Sequence, residues 1–312
     1  MKKLKLNVLQ VFVLLFTIST IVTSCSSEES TELVENQLNS EFLIKLNNFN
    51  SEYQPKIGTH THGISKQSKC SDCWGGFMDF LVVAGADIVG AGAGAVAVKE
   101  IAAGVGIATG GTGAAVVVGV AAVVAGAGAS VAASNTLDNG KSSKIFNYKN
   151  YVKSLNIEYP EKYNYLSNVG SLHNEQVFNI LNSGKSIEKF NCSLAKNSTA
   201  SDFETISNTQ EWQNVISELG NSIDSYSSDS DINNLTLSLK DKSLISKNIK
   251  TVLDSFFEIY NQSANNHNIQ DIVNFYAQAV SNETTLSETE KEALIASFSV
   301  ATESPYFWAN QN

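Results

Sequence analysis

A chain of 312 residues has room for one large domain or two modest ones. All 21 of its basic residues are lysine, and against 31 acidic residues they leave a net charge of -10. That sign repels nucleic-acid phosphates, and the lack of arginine removes the usual bidentate clamp for phosphate, so a nucleic-acid partner and phosphoryl transfer are both disfavoured.

The first residues carry an address. Lys2, Lys3 and Lys5 precede an apolar run from Val8 to Val22, too short and too N-terminal for a spanning helix. The run ends in 22-VTSC-25, which resembles a bacterial lipobox. The resemblance implies cleavage before Cys25 and lipidation of its sulfur. Several acyl chains at ~0.8 kcal/mol per buried CH₂ make a lasting anchor. The following 26-SSEE-29 resembles the acidic tag that sends lipoproteins of Bacteroidota to the outer cell surface.

From Ser26 to about Ile57 the text is rich in Glu, Asn and Ser and reads as a tether. One short helix is expected within it, over 32–49, with Leu33, Leu38, Phe42 and Leu46 as its stripe. Next come His60, His62, Cys70 and Cys73, a set of zinc-type ligands within fourteen residues. In an oxidising envelope compartment 70-CSDC-73 reads most simply as a disulfide, with zinc as the alternative and Cys192 left over. Neither a resident cofactor nor a thioredoxin-like context is indicated.

The block from Trp74 to Ser134 is set apart by its glycine: 15 of the 20 glycines lie between Gly75 and Gly140. Ala86, Gly90, Gly94 and Ala97 recur at helical spacing. Gly111, Ala115, Gly119, Ala122, Gly126, Ser130 and Ala133 make a longer ridge. Such small-residue ridges let helix backbones touch, and 108-ATGGTG-113 supplies the turn between two helices over 80–98 and 113–134. Each glycine inside a helix costs roughly 0.5–1 kcal/mol relative to alanine, so the pair needs a partner surface. A bilayer, self-association through the hairpin and burial beneath the rest of the chain are the candidates, with a β stack over 90–98 as a further alternative. Asp87 counts against simple insertion unless it reaches an interface. The block resembles glycine-zipper segments of bacteriocin-like peptides and small envelope proteins.

Beyond Lys141 helical signals dominate. Capping boxes at 201-SDFE-204 and 287-SETE-290 open helices, the first expected to run through Trp212 and Leu219 to Gly220. Apolar residues at three-and-four spacing mark helices over 247–260 and 269–280, and 235-LTLSL-239 alternates like a strand. In 169-VGSLHNEQVFNIL-181, Val169, Leu172, Gln176, Val177, Ile180 and Leu181 form the expected buried face. His173 then sits beside that face and Glu175 points away. His173, Asn174 and Glu175 are a candidate interaction surface, with local hydrogen bonding as the plainer alternative. No HExxH, GxSxG or P-loop occurs.

The order of lipobox, glycine block, V-G-x-L-H-N-E and 299-SVATESPYFW-308 resembles a group of uncharacterised Bacteroidota envelope lipoproteins. The resemblance implies architecture and address, not a mechanism. The expected fold is all-α: a signal peptide (1–24), an acidic tether (25–68), a glycine-zipper hairpin (69–137) and a helical domain of five to seven helices (138–312). The expected function is non-enzymatic. Either the hairpin inserts into a membrane or associates with other helices, or it is core beneath a domain that binds a protein or glycan.

Overall fold

The computed structural model describes residues 37–60, 73–107, 111–137, 155–183, 201–229, 231–262 and 266–309. The described residues form ten α-helices and one 3₁₀ helix, without a strand. In chain order these are α1 (Ser40–His60), α2 (Cys73–Gly104), α3 (Gly111–Leu137), the 3₁₀ helix (Glu161–Leu166), α4 (Val169–Ser183) and α5 (Ser201–Ser207). They continue with α6 (Gln210–Asp229), α7 (Ile232–Asp241), α8 (Lys247–Tyr260), α9 (Asn266–Asn282) and α10 (Glu288–Ala309).

Apolar residues encircle α2 and α3 instead of forming a stripe, which marks a helix enclosed on every side. The two pack on each other at the centre, and α10, α4 and α6 close around them. Gly90 and Gly94 make the close approach possible. A Cβ on Gly90 would lie 2.6 Å from the Ala129 Cβ, and one on Gly94 would lie 2.5 Å from both the Ala121 carbonyl oxygen and the Ala125 Cβ. The helical hairpin is therefore present, and the β alternative over 90–98 is overturned.

The ridge on α3 is only in part the expected one: Gly126 meets α2 as expected. Ala121, Ala125 and Ala129 meet α2, whereas a Cβ on Gly119 would face Val169 and Leu166. Gly126 sits at the seam, 3.0 Å from His173 Cδ2 and 3.2 Å from the Asp87 carbonyl oxygen by the same construction. Gly119, Gly126 and Ser130 of the predicted row thus meet α4. Both rows consist of small residues, so composition alone does not choose between them. Gly111 and Ala115 lie in the first turn of α3, and their surroundings fall outside the described residues.

The described residues belong to one compact unit, and hairpin and helical domain share a core. The span expected as tether contributes α1, displaced toward the C-terminus from the expected 32–49. Phe42 and Leu46 are buried as expected, and Leu33 lies outside the described residues. The buried Asn50 side chain donates to the Ser255 carbonyl at 2.8 Å and to Glu258 Oε2 at 3.0 Å, and it accepts from the Tyr276 hydroxyl at 2.9 Å. Phe49 stacks on Phe275 with ring centroids 3.7 Å apart.

The strand-like 235–239 is helical, because Asp231 caps α7 through the Asn233 amide and Leu235 and Leu239 share one buried face. Leu237, the alternation's third member, is exposed. The helix opened at Ser201 stops at Ser207, and α6 then passes straight through Gly220 to Asp229. The capping box at Ser287 forms as expected, with the Ser287 amide donating to Glu290 Oε2 and the Glu290 amide to Ser287 Oγ. The same Glu290 accepts from Ser246, which caps α8. Pro305 lies inside α10 and has no N–H for the Ala301 carbonyl. The Tyr260 hydroxyl fills that vacancy at 2.9 Å.

A candidate functional site: the closed polar centre on Asp87

An ionisable side chain inside an apolar hairpin must find partners or give up its charge. Asp87, on α2, is fully buried and finds partners on three other helices. Ser130 of α3 donates to its Oδ1. Ser304 of α10 donates to its Oδ2, as does the Trp308 indole Nε1 at 2.9 Å. His173 of α4 brings its Nε2 to 3.0 Å from Ser130 Oγ and 3.8 Å from Asp87 Oδ2. Its Nδ1 lies 3.1 Å from Asn174 Oδ1, and the Asn174 amide in turn donates to the Glu303 carbonyl at 2.9 Å.

Backbone proximity permits this convergence. A Cβ on Gly170 would stand 2.1 Å from the Ser299 carbonyl oxygen, so α4 and α10 touch there as only a glycine allows. The Gly170 amide donates to Ser299 Oγ at 3.0 Å. Gly126 leaves the space that His173 occupies.

Burial pushes the Asp87 carboxyl above its ordinary range, opposed by the His173 charge and the Ser130, Ser304 and Trp308 donors. Burial likewise lifts the Tyr260 phenol well above its usual value, with Tyr306 and Asp87 adding to the effect. Removing one member of such a buried set typically costs about 3–5 kcal/mol.

Serine, histidine and aspartate are the residue types of a hydrolase triad, but this geometry is not one. There the carboxylate orients the histidine Nδ1 and the serine faces substrate. Here the carboxylate accepts from the serine, Nδ1 faces Asn174, and Asp87, Ser130 and His173 are all shielded from solvent.

Several expectations change accordingly. His173 and Asn174 are fully buried and do not form an exposed surface; Glu175 alone of the three is exposed. The expected inward face of α4 holds at Val169, Gln176, Val177 and Ile180, but His173 joins it and Leu172, 43% exposed, leaves it. Cys25, His62 and Cys70 lie outside the described residues. His60 ends α1 and Cys73 begins α2, with side chains outside that description. Among the described residues no group of histidine, cysteine and acidic side chains is placed to hold a metal.

Sequence reasoning did not pair Asp87, Ser130, His173, Ser304 and Trp308. Asp87 and His173 are visible alone as polar exceptions in an apolar pattern, whereas Ser130 belongs to the small-residue row and Ser304 and Trp308 to 299-SVATESPYFW-308. Three of the quoted motifs, the glycine block, V-G-x-L-H-N-E and S-V-A-x-x-S-x-x-x-W, each supply a member.

No protein-family model, curated protein or solved structure matches this chain. Fold and centre together define an all-α protein with an apolar helical hairpin as its core. Two of its helices, Val82–Gly104 and Val116–Ser134, are long and apolar enough to cross a membrane.

Proposed function

We propose that this chain is a non-enzymatic, lipid-anchored envelope lipoprotein that works as a binding module, its glycine-zipper hairpin serving as internal core. One observation carries the reading: 94% and 78% of the most apolar windows of the two hairpin helices are buried within the chain's own fold. Helix association through the small-residue rows is then intramolecular, and Asp87 is satisfied without reaching an interface.

The surface of the helical fold supplies the binding face. A groove of about 700 Å³ lies between α1, α7 and α8, with Leu46 and Phe257 below and Asn47, Asp254, Glu258 and Asn261 on its rim. Amides donate and accept at once, which suits the hydroxyls of a glycan. A second reading, in which the hairpin enters a bilayer, draws on the length and mean hydropathy of the two segments, 23 residues at 1.5 and 19 residues at 2.2.

Dye-loaded liposomes separate the two readings. The mature chain without its acyl groups should release no dye and remain soluble. Release at low protein-to-lipid ratio would overturn the core reading in favour of insertion. On a glycan array the same protein should give signals that Asn261→Trp, which fills the groove, abolishes.

A further inference from the structure

The hydrogen bonds around Asp87 count protons. Trp308 Nε1 can only donate to Asp87 Oδ2; a proton on Oδ2 could pass only to Ser304 and would leave the one Ser130 hydrogen to serve both Oδ1 and His173 Nε2, so the proton that completes the set sits on Oδ1, facing Ser130. The Asn174 amide nitrogen is committed to the Glu303 carbonyl, so its Oδ1 faces His173 and requires a proton on Nδ1. One hydroxyl, Ser130, then joins Oδ1 to Nε2.

Two arrangements satisfy every group. In the first, imidazolium Nε2 donates to Ser130 Oγ and the hydroxyl donates to the Asp87 carboxylate. In the second, the Asp87 carboxyl donates to Ser130 Oγ and the hydroxyl donates to neutral Nε2. One proton passes from Nε2 to Ser130 as another passes from Ser130 to Oδ1, and the net charge is zero in both. With one proton fewer, a single hydrogen must serve two contacts and the centre is negative. With one more, the hydroxyl can turn to the Gly126 carbonyl at 3.2 Å, but a positive charge is buried without a counter-ion.

We propose that Asp87, Ser130 and His173 form a one-proton site, so that closing α10 onto the hairpin through Ser304 and Trp308 takes up a proton that the open chain lacks above neutral pH. The other titratable groups nearby are Tyr260 from α8 and Glu303 from α10. Tyr260 stays protonated here and hydrogen-bonds Ala301. Glu303 bears on Tyr159 and Tyr306, and its backbone carbonyl accepts from Asn174.

The sign follows from proton counts. In the unfolded chain Asp87 ionises near pH ~3.9 and His173 near ~6.5. Above ~6.5 the unfolded pair binds no proton and the folded pair binds one, so this contribution is present below that pH and lost as pH rises. Asp87→Asn reproduces the protonated carboxyl, its amide facing Ser130, and leaves folded His173 neutral. From about pH 4 upward the wild-type folding constant, divided by that of the variant, should fall about tenfold per pH unit, one proton's worth.

The test is denaturant unfolding of the mature chain and of Asp87→Asn from pH 5 to 9, with ¹⁵N NMR of the His173 ring in the wild type. Expected are the tenfold-per-unit slope and a ring that keeps its proton on Nδ1 at every pH. A ratio flat in pH, or an Nδ1 without its proton, would overturn the proposal. Should Asp87→Asn fail to fold, the ring spectrum decides alone.

Discussion

The hairpin and the aromatic face of the bundle solve the same burial problem with opposite materials. Between α2 and α3 the contact is glycine and alanine against backbone, and the void left by a missing side chain is filled by the neighbouring helix itself. Around α8, α9 and α10 the space is filled by rings: Phe256 lies 4.9 Å from Phe298 and 5.3 Å from Tyr276, centroid to centroid. The first interface has no slack for added atoms, and the second has none for lost ones.

Substitutions break or sharpen that contrast. The largest effect is expected from Phe256→Ala, which empties the ring cluster and should cost about 3–5 kcal/mol in denaturant unfolding. A cost below 1 kcal/mol would mean that the rings are not close-packed. Next is Gly94→Ala, a single added methyl that meets the Ala121 carbonyl and should cost about 1–3 kcal/mol through overpacking. If it proves neutral, the two backbones do not touch. The smallest effect has the opposite sign. Gly220 lies inside α6 with nothing within 4 Å of a Cβ, so Gly220→Ala should stabilise by about 0.5–1 kcal/mol. A loss there would show that glycine is needed for reasons other than space.

The contrast also explains what the sequence made legible. Helices with one apolar stripe, such as α8 and α9, stand at nearly their expected bounds because periodicity encodes which face is buried. A hairpin apolar all round encodes burial but not direction. Hence the choice of Ala121, Ala125 and Ala129 over the Gly119–Gly126 row waited for the fold. Asp87 and His173 were visible as oddities, yet their meeting depends on how α4 and α10 approach the hairpin, and Trp308 lies 221 residues from the carboxylate it serves. Gly170 was a clue to that approach, but spacing does not name the chain that passes over a glycine. The exposure of Leu172 has a related origin: drawing His173 and Asn174 inward turns α4 so that an aliphatic neighbour is left in water.

The carboxylate of Glu290 accepts from two serines, the Ser246 hydroxyl at the start of α8 and the Ser287 backbone amide just before α10. One acid thereby sets the phase of two helices separated by the whole of α9. Neither helix can slip along its axis by a turn without giving up the shared acceptor. The beginnings of α8 and α10 are thus indexed to a common origin, and the positions that Tyr260 and Ala301 must reach are counted from it.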